Sequence, residues 1–547
     1  MWEEDVKKEQ VGQERRGEKR QGKEESDNER RRRESLKLLG KAQIHRSVEV
    51  LKSPGVADIR DFEVRRQMEG KHPRRQWEIQ VDVEKSSPVD NLRGLRDSLL
   101  SLKRGGSPGT GGMRSEFLCV LGEVLDGEKM LLWEELGMRY LQGKLPAWFQ
   151  AVFLSSQSVA LWKTEEQEAV RPIGVRHSEV RVWHREVVQQ NRAEFLSYLE
   201  PVQLALSRAG CGKCVFSVRT LLEENPGFVV LKLDVKNAQN AISRAKIVSE
   251  LLLVPQLRHL AWHAATVLAP YTALHTAGER WGEAQEGETQ GDPEATPFFC
   301  VAWHRHILAA DSILKAGGGM ARFISDDGYL VGPLDLVLEA FTMLEQDILE
   351  NCGLELQPSK CELYKEGGVL PEDCSAGLSR AGALVNNTFE AGFLCVGVPV
   401  GSDNYVMGML NKKVDDVENE VRKVQQILGG ERQAVWTILR ASTQHKFDYW
   451  LGTVHPSLMV EAAGRMDGLL LQMLETCTGS QIPQSAAGPD LGLPGYQPTL
   501  LDVPVPGLQG QSFQWWVAQL PVKSGGLGLR LQSRLSPIAY LAIVSLL

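Results

Sequence analysis

Two β-rich runs that end on or turn around carboxylates constrain this chain more than any other feature. FVVLKLD, residues 228–234, is almost continuously apolar until Asp234, the pattern of a strand covered on both faces. ARFISDDGYLVGP, residues 321–333, places Asp326 and Asp327 between apolar arms. The Asp327-Gly328 pair predicts the turn of a hairpin there, because glycine supplies the positive φ that such turns demand. On its own the stretch also reads as a plain solvated turn. Laying the 228–234 strand beside it gathers up to three carboxylates at one sheet edge. Two such charges about 4 Å apart repel by roughly 4 kcal/mol at an effective dielectric near 20, and divalent cations turn that cost into a site.

The rest of the chain sets bounds. Its 547 residues, 42% hydrophobic and 24% charged, suffice for roughly two to four globular units. A formal net charge of −8 excludes a uniformly basic coat, so any polyanion must meet a local basic patch. The nine cysteines are odd in number and scattered, which argues for a reducing compartment. Cys211 and Cys214 have no second pair at zinc-ligand spacing and read as ordinary thiols. No apolar run is long enough to cross a bilayer and the N-terminus is charged, so the expectation is an intracellular protein, nuclear or cytoplasmic, without a membrane partner. The closing SPIAYLAIVSLL lacks a helix-stop signal, which suggests a fragment. The glycine-rich KRGGSPGTGGMR (103–114) lacks the Gly-Lys-Ser/Thr ending of a P-loop, as does GCGKC (210–214).

Along the chain, residues 1–37 are mixed-charge and predict a disordered tail or at most a solvated helix. Residues 38–100 read as a helical extension. FLSSQSVALW and AVRPIGV predict strands, and ISRAKIVSELL, TPFFCVAWHRHILAADSIL and roughly 335–352 predict helices. Beyond 405, Leu410, Val414, Val417, Val421, Val424 and Leu428 form one apolar stripe on a long helix. PQSAAGPDLGLPGYQP (483–498) reads as a Pro/Gly loop.

Read in order, SPGTGGMRSEFL (107–118), VALWKTEEQEAVRPIGV (159–175), FVVLKLDVKNAQNAISR (228–244), GETQGDPEATPFF (287–299), RFISDDGYLVGP (322–333), GLELQPSKCELY (353–364) and VGVPVGSDNYV (396–406) resemble the successive motifs of reverse transcriptases, most closely those of non-long-terminal-repeat (LINE-type) retrotransposons. LRASTQHKFDYWLGTVHP (439–456) and GGLGLRLQSRLSPIAYLA (525–542) resemble the segments that trail the polymerase in such elements. The resemblance implies an α+β right-hand polymerase: fingers over 101–227, a palm with an antiparallel sheet over 228–405, and a helical thumb over 406–547. It implies RNA-directed DNA polymerase activity, with an RNA template, a DNA primer, deoxynucleoside triphosphates and two Mg²⁺ ions (or Mn²⁺) as partners. Carried over by position, Asp234, Asp326 and Asp327 become the metal-binding catalytic carboxylates, and Lys360 the lysine that protonates the leaving pyrophosphate. Lys163 and Arg171 fall where the triphosphate is held, a use suited to a point charge and a bidentate fork. Gln239, Gln290 and Gly291 fall against the incoming nucleotide. For nucleic acid, the basic patch Arg171, Arg176, Arg181 and Arg185, with Lys412 and Lys413 on the long helix, is the candidate phosphate contact.

The chain departs from that pattern in places. Gln239 stands where the family carries an aromatic gate against the ribose 2′-hydroxyl, Ile324 where an aromatic precedes the paired aspartates, and Glu294-Ala295-Thr296 where Leu-Gly-Pro follows QGDP. These departures keep a second expectation open: a degenerate retroelement-derived protein that binds nucleic acid without polymerising.

Overall fold

The computed structural model describes residues 28–52, 55–81, 89–103, 105–163, 166–357, 360–367, 388–389, 391–479, 481–482, 517–524 and 526–546. The chain forms two compact units, residues 54–405 and residues 1–53 with 406–546. Residues 38–52 therefore belong to a different unit from residues 55–100, although the sequence reads as one extension. Within the tail expected over 1–37, residues 28–39 are helical and Ser35 is buried against Ser47, 2.7 Å between hydroxyls. Residues 1–27 and the Pro/Gly loop over 483–498 lie outside the described residues.

The larger unit holds all strands assigned among the described residues. A four-stranded sheet runs β2-β1-β4-β5, from β1 (Ser156–Trp162), β2 (Val170–Arg176), β4 (Thr272–Thr276) and β5 (Glu279–Ala284). A five-stranded sheet runs β6-β7-β3-β8-β9, from β3 (Val229–Leu233), β6 (Met320–Ile324), β7 (Asp327–Gly332), β8 (Glu362–Tyr364) and β9 (Thr388–Phe389). Strands β10 (Gly392–Cys395) and β11 (Val398–Gly401) pair alone. The five-stranded sheet is antiparallel except for its β8–β9 pair, which is parallel. The chain is thus a mixed α+β protein.

Strand β3 is central, and Val229, Val230, Leu231 and Leu233 are all buried. Its one polar position, Lys232, pairs with Glu362 across β8 at 3.0 Å. The helices Ala295–Lys315 and Leu334–Cys352 contribute Phe299, Trp303, Val337 and Phe341 to the core that also buries Leu231, Phe323 and Leu330. In the smaller unit the helix Asp403–Leu428 buries Leu410, Val414, Val417, Val421, Val424 and Leu428. The apolar stripe read from sequence is its packed face.

The hairpin turn falls two residues earlier than the Asp-Gly pair predicts. Ile324 pairs with Asp327 and Phe323 with Gly328, so the two-residue turn is Ser325-Asp326. Ser325 takes the left-handed conformation, φ 57°, at a cost of about 1–2 kcal/mol for a residue with a Cβ. The buried Gln203 offsets it: its Oε1 accepts the Ser325 N–H at 2.9 Å and its Nε2 donates to the Ser325 carbonyl at 3.0 Å. Gly328 is required for a different reason. A Cβ there would stand 2.3 Å from the Phe323 ring. Gly328→Ala is expected to destabilise the fold by about 1–3 kcal/mol, the usual range for overpacking a tight interior. An unchanged urea midpoint would show that Phe323 can swing aside freely.

Candidate functional site

Asp234 follows β3 directly, and β3 pairs with β7 so that Leu233 faces Gly328. That register brings Asp234 beside Asp327 and the Asp326 turn. Backbone contacts fix its far side: the Asp234 carbonyl accepts the Gln357 N–H at 2.8 Å, and Val235 bridges Leu356. The same segment carries Lys360, whose Nζ lies 3.9 Å from Asp234 Oδ2. Burial, then the Asp234 charge, pushes the Asp326 carboxyl above its ordinary value. Burial and then the Asp326 and Asp234 charges do the same to Asp327. The all-carboxylate donor set suits a hard divalent ion such as Mg²⁺ or Mn²⁺.

Beyond Asp234 the chain turns through Asn237, also left-handed at φ 53°, into a short helix Ala238–Ala241. The Gln239 carbonyl accepts the Glu288 N–H at 2.7 Å, and the Ile242 carbonyl accepts the Gly287 N–H at 2.9 Å. The 287–292 segment is thereby tied to the turn after Asp234, with Gln290 half-buried and Gly291 exposed at φ 94°. It also lies against β2, where a Cβ on Gly174 would stand 2.7 Å from the Thr289 side chain. On the β1–β2 hairpin, Leu161 pairs with Arg171, so Arg171 and Lys163 share the more exposed face. The structure therefore brings together the segments that carry Asp234, Asp326, Asp327, Lys360, Gln239, Gln290 and Gly291 through backbone contacts of those segments, and adds the hairpin bearing Lys163 and Arg171 along β2.

The basic patch read from sequence is not a single surface. Arg176 is 1% exposed and its Nε pairs with Asp292 Oδ2 at 2.7 Å. Strand alternation turns Arg176 inward while Arg171 points outward, so Arg176 is unable to meet phosphate. Arg181 donates to the Ser107 carbonyl at 2.6 Å, and Arg185 reaches the Ser101 carbonyl at 3.4 Å. Both are half-buried and tie the helix Ser178–Gln190 to the segment around the glycine-rich loop. In that loop Gly109 is at φ 68°, where a Cβ would strike the Arg176 carbonyl at 2.5 Å. In the smaller unit Lys412 is exposed, and Lys413 Nζ lies 5.8 Å from the Trp450 ring centre.

Around Asp292 lies a buried polar network that the sequence does not announce. His184 Nδ1 is 2.8 Å from Asp292 Oδ1 and 3.1 Å from Glu294 Oε2, and His263 Nε2 is 2.8 Å from Glu294 Oε1. Asp292 Oδ1 also accepts the Glu294 N–H at 3.1 Å. Burial opposes charge on His184, but Asp292 and Glu294 outweigh it and hold the imidazole above its ordinary pKa. Burial likewise works against Asp292, yet His184 and Arg176 hold its carboxyl at about 2. Glu288, buried and near Asp292, is pushed up to about 8.

Among the described residues, His184, His263 and Glu294 are the set whose ligand atoms all lie within 4.8 Å of one another; the three aspartates are not. The triad could hold a metal ion. As it stands, Arg176 and His184 already pair with Asp292, and His184 and His263 with Glu294. The only signals of this network in the sequence are the departure at Glu294 and the polar residues on otherwise apolar helices.

No protein-family profile matches the chain, and no curated protein matches it in sequence. Among the described residues no helix is long and apolar enough to cross a membrane, and the described cysteines are free thiols.

The network makes stability depend on pH in a defined direction. The stabilisation from His184 is complete below the unfolded value of 6.5 and is lost as pH rises through its raised folded value. Glu288 titrates at 4.5 when unfolded but keeps its proton to about 8 when folded, so its ionisation penalty grows across that window. Both contributions fall as the solution becomes alkaline. Urea unfolding at about pH 6 and about pH 9 is expected to show a loss of stability that shrinks in Glu288→Gln. An equal loss in the variant would place the titration elsewhere.

Proposed function

We propose that this chain is an RNA-directed DNA polymerase of the LINE-type reverse transcriptase class, adding deoxynucleotides to a primer 3′-hydroxyl on an RNA template. The observation that carries the reading is the β3–β7 register, which sets Asp234 beside Asp327 and the Asp326 turn although Asp234 is remote from that pair in sequence. The order of the motifs along the chain supports it independently.

In this reading Asp234, Asp326 and Asp327 hold divalent magnesium, which would supply activation of the primer hydroxyl and neutralisation of the leaving pyrophosphate. Lys360, already 3.9 Å from Asp234, gives a proton to the departing pyrophosphate. Lys163 and Arg171 on the exposed face of the hairpin bind the triphosphate. Gln290 and Gly291, with no Cβ at the second position to block close approach, face the base pair being formed. Glu294, which departs from the family's usual sequence, holds His263 and His184 and so has a structural role of its own.

Primer extension on an RNA template with Mg²⁺ tests the reading. Asp234→Asn and Asp326→Asn are each expected to reduce extension to background. Asp326→Asn is also expected to raise the thermal midpoint near neutral pH, because it removes a carboxylate whose ionised form burial disfavours. That gain is present above the raised pKa of Asp326 and disappears as pH falls through it towards the unfolded value of 3.8. Near-normal extension by either variant would remove these aspartates from the site.

Gln239 bears on sugar selection. A flexible amide can hydrogen-bond a 2′-hydroxyl that a flat aromatic ring would exclude. The wild-type chain is therefore expected to discriminate poorly between deoxyribonucleotides and ribonucleotides, and Gln239→Phe to improve discrimination chiefly by lowering kcat/KM for ribonucleotides. Strong deoxy preference in the unmodified chain would assign the gate to another residue. Absence of extension with retained primer–template binding would favour the second reading, a nucleic-acid-binding relic, for which Gln239 and Ile324 speak.

A further inference from the structure

The segment Lys71–Trp77, which the sequence reads only as part of the helical extension over 38–100, is a strap fastened to the turn after Asp234 and to Gln285 and Glu286. Its first residue follows the helix Phe62–Gly70, whose Gln67 accepts the Val170 N–H at 3.1 Å and donates to the Glu168 carbonyl at 3.0 Å. That helix thus braces the β1–β2 hairpin carrying Lys163 and Arg171. The Lys71 carbonyl accepts from Asn237 Nδ2 at 2.8 Å, three residues beyond Asp234. Further along, Arg75 donates to the Leu268 and Ala269 carbonyls at 2.8 and 2.7 Å, and the Gln76 N–H to Glu286 at 3.0 Å. The Trp77 ring closes the strap against Gly353, where a Cβ would stand 3.1 Å away.

The strap holds Lys71 half-buried, without a carboxylate within 4.0 Å among the described residues. Burial and then the charges of Lys163, Lys360 and Lys236 hold its amine below the ordinary lysine value. Lys236 is paired with Glu355 at 2.8 Å, and Lys360 approaches Asp234. Among the described residues Lys71 and Lys163 have no such partner. Repulsion among neighbouring lysines is unrelieved where no carboxylate pairs with them, and it is relieved when a polyanion binds. We propose that Lys71 is a phosphate-binding residue of the site, contacting the polyphosphate end of a nucleoside triphosphate together with Lys163. This rests on the polymerase reading for the identity of the nucleotide, not for the binding of polyphosphate.

The test is isothermal titration of the full chain with inorganic tripolyphosphate in the presence of Mg²⁺, beside steady-state primer extension. Lys71→Gln is expected to weaken tripolyphosphate binding by about tenfold, the loss of one charge-assisted hydrogen bond, and to raise KM for the nucleotide with little change in kcat. Lys71→Arg, which keeps the charge, should retain most of the binding, and Arg74→Gln, exposed on the same strap, should leave it unchanged. Equal binding by Lys71→Gln and wild type, while Lys163→Gln binds more weakly, would overturn the proposal, as would a wild-type chain that takes up no tripolyphosphate. Binding that depends on Lys71 in a chain that extends no primer would uphold the proposal and sink the polymerase reading.

Discussion

The Phe323 ring lies over the backbone of Gly328, so closely that no side chain fits between them. That contact decides where the β6–β7 hairpin turns. With Phe323 opposite Gly328, the turn must be Ser325-Asp326, and Asp327 becomes the first residue of β7. A slip of one residue would exchange the two faces of β7 and carry both aspartates away from Asp234. Gln203 completes the restraint by bonding both the N–H and the carbonyl of Ser325, so the left-handed turn residue is held from a neighbouring segment. A glycine that reads as a turn former is in fact a spacer for an aromatic ring.

A second restraint works on the opposite wall. The 287–292 segment must stay close both to the turn after Asp234 and to β2, and small residues make each approach possible: Gly287 beside Asn240 and Gly174 beside Thr289. Asp292 then fastens the segment from beneath through Arg176 and His184. Burying a charge is costly unless it is paired and hydrogen-bonded. Here the pairing is reciprocal, with two carboxylates shared among an arginine and two histidines. The same groups supply rigidity under Gln290 and Gly291 and a sensitivity to alkaline pH.

The electrostatic pattern of the larger unit follows from these two restraints. Negative charge concentrates at the ends of β3 and the hairpin, while lysines arrive from four separate places: the strap, the β1–β2 hairpin, the residue after Val235 and the segment before β8. Net acidity of −8 is thus compatible with a local anion site. Two of the arginines that look most like a nucleic-acid surface are already engaged, Arg176 in the interior on Asp292 and half-buried Arg181 on a backbone carbonyl. Composition reports the sum of charge; only packing decides which charges reach solvent.

Local periodicity was enough to reveal β1, β2 and β3, the helices Ala295–Lys315 and Leu334–Cys352, and the buried stripe of Asp403–Leu428, because each signal lies within one element. The nearness of Asp234 to the paired aspartates was only one reading among several on spacing alone, and it was the order of the motifs in the family resemblance that favoured it. Tertiary structure alone decided the hairpin's true turn, the burial of Arg176, the role of Gln203, the placement of Lys71, the His184–His263–Glu294 cluster and the grouping of residues 28–52 with the C-terminal helices. Each of these depends on partners far away in sequence. A side chain's periodicity says which face it occupies, but its function depends on what that face meets, and that is settled only when the elements pack.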